Sequence, residues 1–247
     1  MKIADEFERM GNWLFQRRSY FPLLILPLML VALRESEGIE KHFGDKALTL
    51  WETVCVSISF CGLLLRSLTV AWVPEGTSGR NTKGQLAEFL NTEGPYSLAR
   101  HPLYLANFMI TFGFALFVQV WWFVLLFVLF FCLFYERIIF AEEAFLERKF
   151  GQAFRDWADR TPVFIPRFAL WKKPRARFSW RMILKREYST FFGIIVAFIA
   201  IKFFAELLAE GELTFRFSWW VLIGIGFAVY ITLRTIRKKT KWLEIRG

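Results

Sequence analysis

Residues 102–135 contain no charged side chain. As a single helix this run would extend about 50 Å at 1.5 Å per residue, well beyond the ~30 Å hydrocarbon core of a bilayer. It therefore has to fold back as a hairpin, and the expected turn lies near positions 117–120. The composition places that hairpin in a membrane: of 247 residues 55% are hydrophobic and 19% aromatic, with 30 Phe and 11 Trp. Mean hydropathy is +0.37, outside the usual range of soluble domains.

Further apolar segments occupy residues 20–33, 48–73, 188–209 and 218–233. The first is short and holds Pro22 and Pro27, so it is expected as a tilted or re-entrant piece. The second carries Glu52 and Arg66 near its ends, where long charged side chains reach the interface. The fold expected is an all-α polytopic transmembrane helix bundle of about six spans, with a cytoplasmic cofactor pocket over the helix hairpin. Residues 1–187 would form the core, and residues 188–247 an appended helix pair with a basic tail.

Lys and Arg collect at positions 17–18, 80–100, 148–186 and 234–246, so the positive-inside rule puts both termini in the cytoplasm. The formal charge of +10 is spread beside apolar spans, a pattern that suits anionic lipid headgroups rather than nucleic acid. Residues 171–186 read as a basic connector on the membrane surface. Cys55, Cys61 and Cys132 all sit inside apolar runs without CxxC spacing. With His42 and His101 as the only histidines, no metal site is expected.

The hairpin brings distant polar residues together. From a turn near Gln119, His101 and Glu136 are each roughly 17 residues away, about 25 Å of rise, and so return to one level. Glu142 and Glu143 lie about two turns further, where a water-soluble ligand enters. Glu136, Glu143 and Glu147 share one helical stripe and Tyr135 and Glu142 another. Adjacent Glu142 and Glu143 are expected to divide roles, one facing a ligand and the other bracing a nearby Arg. Gly151 suits a helix stop.

Each feature also has a plainer reading. Arg100-His101-Pro102 serves as a helix start with Pro at N1, and Gly94-Pro95-Tyr96 as a turn. Residues 77–84 are a polar loop that, with Arg80 and Lys83, could also hold phosphate. Lys202 and Glu206 are spaced to neutralise each other at i, i+4.

The ordered set Gly94-Pro95-Tyr96-Ser97, Arg100-His101-Pro102-Leu103-Tyr104, Glu142-Glu143-Ala144-Phe145-Leu146, Phe150-Gly151 and Thr161-Pro162-Val163-Phe164-Ile165-Pro166 resembles the isoprenylcysteine carboxyl methyltransferase and phospholipid methyltransferase superfamily of integral membrane enzymes. The resemblance covers residues 66–168. It implies S-adenosylmethionine as methyl donor and a lipid-like acceptor arriving from the bilayer. Tyr96, His101, Tyr104, Glu142, Glu143 and Pro162 fall at cofactor-binding positions, and Arg100, Glu143 and Arg137 at catalytic ones. Arg66, Arg80, Lys83 and Arg167 are expected to orient the acceptor. Two positions depart from the pattern: Ala106 stands where glycine is common, and Phe154 and Trp157 where tyrosines are common.

This cationic set favours O-methylation of an anionic group, a carboxylate or phosphate such as that of a phosphorylated glycolipid or a prenylcysteine. N-methylation of a phospholipid amine is the alternative. Two other classes stay open: a membrane reductase using NADPH, whose cofactor half has a similar helical arrangement, and a non-enzymatic lipid-binding scaffold.

Overall fold

The computed structural model describes residues 2–36, 38–73, 85–209, 217–240 and 242. Among them the longer elements are all helices: α1 (Ile3–Arg17), α2 (Phe21–Ala32), α3 (Gly38–Ala71), α4 (Pro95–Leu98), α5 (Pro102–Phe117), α6 (Trp121–Phe150), α7 (Gln152–Ala158), α8 (Trp180–Ala209) and α9 (Phe217–Lys239). Four are long and apolar enough to cross a membrane, namely Lys41–Ala71 within α3, α6, Trp180–Leu208 within α8, and α9. The protein is an integral membrane helix bundle.

The charge-free run folds back where expected. α5 ends at Phe117 and α6 begins at Trp121, and between them Gln119 adopts φ 62°, a conformation uncommon outside glycine. Two hydrogen bonds hold it there. Its N–H donates to the Leu116 carbonyl at 3.0 Å, and its side-chain oxygen accepts from the Ile39 N–H at 3.3 Å, tying the turn to the start of α3.

α3 runs antiparallel to α5 and approaches it closely through glycines. A Cβ on Gly62 would stand 2.8 Å from the Ala106 carbonyl oxygen and 2.9 Å from the Ile110 nitrogen, and Gly113 lies against Cys55 and Ser59. Ser59 Oγ donates to the Ile110 carbonyl at 2.8 Å, and Trp51 Nε1 to that of Leu116 at 3.0 Å. In lipid, helices associate by such close packing and interhelical hydrogen bonds, because tails are as apolar as leucine.

α1 lies antiparallel to the outer half of α6. The Glu8 carboxylate accepts twice from Arg148, at 2.9 and 2.6 Å, Phe7 meets Phe140 edge to face, and Gly11 is pressed against Arg137 and Ala141. The chain then descends to the hairpin turn, where Trp122 Nε1 donates to Glu35 at 3.0 Å. α2 has 12 residues with Pro27 inside, about 18 Å of helix, so it needs its flanking 3-10 turns to make the crossing. α2, α3, α5, α6, α8 and α9 thus form six passes between the two ends of the bundle.

α8 starts at Trp180 rather than near residue 188. Ser179 Oγ accepts from the Met182 N–H at 3.2 Å and caps it, so Arg181, Lys185 and Arg186, expected in a surface connector, fall in its first turns, while Lys172, Lys173, Arg175 and Arg177 stay in the connector before it. Lys202 meets Glu206 at 3.5 Å as its spacing suggests, and also Glu52 on α3 at 3.1 Å. α9 returns alongside α8, with Arg237 Nη1 3.3 Å from the Tyr188 hydroxyl. α1 and the end of α9 therefore lie at the same end of the bundle as His101.

Candidate functional site

The motifs distant in sequence are assembled at the open end of the hairpin largely by main-chain hydrogen bonds. Gly94 takes φ 60°, and its N–H donates to the Lys172 carbonyl at 2.9 Å. Ser97 Oγ donates to the Gly94 carbonyl at 2.6 Å and accepts from the Lys172 N–H at 3.0 Å. The 162–167 segment lies along residues 98–101: the Arg100 N–H donates to the Pro162 carbonyl at 2.8 Å, that of His101 to Val163 at 3.2 Å, and that of Arg167 to Leu98 at 3.0 Å. A roof of irregular chain therefore covers the start of α5. Phe164 reaches under it to meet Phe108 edge to face, with ring centroids 6.1 Å apart.

His101 is buried beneath this roof, 6% exposed. It precedes α5 with φ −124° and ψ 59°, and Pro102 takes the first helical position, where a missing N–H costs nothing. Its Nε2 is 3.0 Å from Glu143 Oε1 and its Nδ1 3.7 Å from Glu142 Oε2. The ring stacks on Tyr104 at 5.5 Å and 11°, and the Tyr104 hydroxyl donates to Glu142 Oε2 at 2.8 Å. Arg100 Nε lies 3.2 Å from Glu143 Oε1. That N–H is buried and misaligned, without a hydrogen-bond partner.

One expectation of register is corrected here. Glu143 braces Arg100, as expected of one member of the pair, and both Glu142 and Glu143 converge on His101, whose two ring nitrogens offer separate partners. The residues level with His101 are these two and not Glu136, which is 60% exposed beside Arg137. Side chains on α6 lean toward its N-terminus, so Glu142 and Glu143 reach down, while the non-helical His101 backbone carries the imidazole up.

Below the rim the polar residues continue inward. His101, Tyr104 and Asn107 descend one side of α5 at three-residue steps. Tyr104 meets Tyr135 at 4.9 Å, and Tyr135 shares a hydrogen bond with Asn107. The Asn107 side-chain oxygen accepts from Arg66 Nη1, and Arg66 Nε donates to Glu187 Oε2 on α8 at 2.8 Å. Arg66 is thus joined to α5 and α8 rather than standing alone. Asn107 and Glu187 were not singled out from the sequence. The signal for Asn107 is its i, i+3 spacing from Tyr104; Glu187 is a single acid following Lys185-Arg186.

The other expected site residues are more scattered. Arg137 faces α1, its guanidinium 3.4 Å over the Phe7 ring and 3.7 Å from Glu136. Arg167 is exposed and joins the roof through its backbone. Tyr96 is half-buried, its carbonyl accepting from Trp157 Nε1 at 3.3 Å. Pro162 contributes the carbonyl that receives Arg100. Arg80, Lys83 and the 77–84 loop lie outside the described residues. Of the departures from the motif pattern, Ala106 is fully buried against Gly62. Phe154 and Trp157 pack edge to face at 5.8 Å under α4. Among the described residues no group of three or more His, Cys, Asp or Glu is placed to hold a metal ion.

These features define a helical membrane protein with a buried imidazole, two carboxylates and a guanidinium gathered at one end of a transmembrane hairpin. Residues 53–153 match a family described as phospholipid methyltransferase, a family that belongs to the integral membrane methyltransferase superfamily. The chain is also 32% identical over 122 residues to the nickel-cobalt-cadmium resistance protein NccN of Alcaligenes xylosoxydans xylosoxydans, covering 49% of this chain and 57% of that protein. It is 32% identical over 117 residues to the cobalt-zinc-cadmium resistance protein CzcN of Cupriavidus metallidurans, covering 47% and 51%. The chain thus spans little more than half the length of these curated relatives. No solved structure matches it.

Proposed function

We propose that the protein transfers a methyl group from S-adenosylmethionine to a membrane-embedded, lipid-like acceptor. The observation that carries this reading is the convergence of Glu142 and Glu143 on His101, with Arg100 Nε buried beside them and lacking a hydrogen-bond partner. That set fits an amino-acid zwitterion: the carboxylates suit its ammonium, while Arg100, near the start of α5, suits its carboxylate.

Bound there, S-adenosylmethionine supplies a methyl group on a sulfonium centre, activated for in-line displacement. The chain's own part is to hold, orient and exclude water. The roof at 162–167 and Phe164 close the site over the aromatic floor of Tyr104, Phe108, Phe131 and Tyr135, and a dry, ordered site is what such a transfer requires. No residue here has to remove a proton if the acceptor arrives as an anion.

O-methylation of an anionic lipid group remains the favoured finer reading. The names of the two relatives, a nickel-cobalt-cadmium and a cobalt-zinc-cadmium resistance protein, add support: a methyl ester removes negative charge from a headgroup, and headgroup charge is what draws cations to a membrane surface. N-methylation of an amine has its own support, because Glu187 neutralises Arg66 and leaves the interior less cationic than the sequence suggests. Both termini are placed in the cytoplasm by the basic loops, with His101 on that side.

Calorimetry of the purified protein in detergent, titrated in turn with S-adenosylmethionine, S-adenosylhomocysteine and NADPH, tests the class. Binding of the first two alone is expected. Binding of NADPH alone would point to a reductase, and binding of none to a lipid scaffold. Lipid mass spectrometry of cells with and without the gene would then name the acceptor by a species one methylene lighter in its absence.

A further inference from the structure

The Arg66, Asn107 and Glu187 cluster sits one to two turns below the rim, where α3, α5 and α8 meet, and one of its atoms has no partner. Glu187 is 4% exposed. Its Oε2 is bonded to Arg66, but Oε1 is buried and accepts no hydrogen bond. A buried carboxylate oxygen without a donor is costly, since it has lost its water and gained nothing in return. Around it stand a guanidinium and an amide that reach through Tyr135 to the rim.

We infer that Glu187 and Arg66 together receive the acceptor's headgroup, and that this headgroup carries an O–H or N–H donor beside its anionic group. The inference rests on the methyl-transfer reading and adds an acceptor site to it. Glu187 Oε1 takes the donor hydrogen, and Arg66, partly exposed, faces the anion. Arg66 already binds Glu187 through Nε and Asn107 through Nη1, which fixes the guanidinium plane and favours one headgroup orientation. A headgroup with an anion but no donor leaves Oε1 as it is.

The position of Glu187 in the fold adds a second point. It lies on α8, beyond the matched residues 53–153, while its partners Arg66 and Asn107 lie within them. Glu187 is the last residue of the expected core, on a helix whose greater part was expected in the appended pair, so α8 supplies one wall of the acceptor site. Glu187 is a positioning residue, since it acts on the headgroup and not on the transferred methyl.

The test is selective lipid retention, read by native mass spectrometry of the purified protein in mixed micelles. Phosphatidylglycerol is compared with phosphatidylmethanol, a phosphodiester of the same charge without a hydroxyl, and phosphatidylethanolamine with phosphatidylcholine, which lacks an N–H. At least one donor-bearing lipid is expected to be favoured over its donorless partner by about tenfold, the usual worth of a hydrogen bond to a charged group. The pair that responds identifies the donor as hydroxyl or ammonium.

In Glu187→Ala this preference should fall to about twofold or less, whereas Glu187→Gln, which keeps an oxygen acceptor, should retain part of it. S-adenosylmethionine affinity, measured in parallel, should be the same in all three proteins. Equal retention of both members of each pair by the wild type, or an unaltered preference in Glu187→Ala, overturns the inference. Should the alanine variant fail to fold, the wild-type preference and its change in Glu187→Gln decide. Loss of donor binding by the wild type with the lipid preference intact would remove the methyl-transfer reading and leave the headgroup site standing.

Discussion

His101 and Glu143 are 42 positions apart in the chain, yet the imidazole Nε2 and the carboxylate Oε1 meet at 3.0 Å. The contact exists because residues 102–135 double back inside the membrane and deliver both groups to one end. Replacing His101 by Ala leaves Glu142 and Glu143 facing each other across a void, and Glu143→Ala frees Arg100. Each substitution is expected to weaken S-adenosylmethionine binding about tenfold or more, as loss of a charged hydrogen-bond partner does. Calorimetry showing unchanged affinity in both variants would remove the assignment of this site.

Tyr104→Phe keeps the stack on His101 and the contact with Tyr135 while deleting the hydroxyl that donates to Glu142. A smaller loss of donor affinity follows, about threefold to tenfold for one hydrogen bond. A loss as large as that of His101→Ala would mean that the hydroxyl itself contacts the ligand.

Lys202 offers a contrast in which stability changes and binding does not. Its ammonium lies between Glu52 and Glu206, both buried, toward the opposite end of the bundle from His101. Lys202→Met should cost about 3–5 kcal/mol by stranding two carboxylates, with S-adenosylmethionine affinity intact in the protein that remains folded. Adding Glu206→Gln should recover part of the loss. Thermal unfolding in detergent measures both, and a Lys202→Met variant as stable as the parent would show the triad to be inert.

Two glycines separate helix propensity from helix packing. Gly62→Ala drives a methyl group into the Ala106 carbonyl and the Ile110 nitrogen, atoms of a backbone that cannot swing aside. α3 must then move away from α5, with a loss of about 1–3 kcal/mol. Gly193→Ala, in α8 with nothing within 4 Å of the new carbon, should instead be neutral or stabilising by up to about 1 kcal/mol. Equal melting temperatures for the two variants would rule out the close packing described between α3 and α5.

The sequence makes the hairpin legible because length and charge are one-dimensional signals: residues 102–135 are too long for one crossing, and nothing inside them tolerates water. The return of Arg100 and His101 to the same end of the bundle as Glu142 and Glu143 follows from that, though their direct contact does not. What it does not disclose is azimuth. Whether Arg66 faces Asn107 and Glu187 depends on how closely α3 can press on α5 at Gly62, a property of three helices together. Arg137 shows the same limit, since it turns to Phe7 only because Gly11 lets α1 lie flat on α6. The level of Glu136 is hidden in the same way, because a count of residues leaves out the lean of side chains along a helix.

The lid over His101 is fastened by the N–H groups of Arg100, His101 and Arg167 and the carbonyls of Leu98, Pro162 and Val163, main-chain groups that every amino acid supplies, proline lacking only the N–H. Val163 and Ile165 meanwhile point outward, 37% and 79% exposed. The sequence of this cover is therefore free to drift or be engineered at those two places, reshaping the entrance that a guest molecule meets, while the catch that keeps it shut stays fastened.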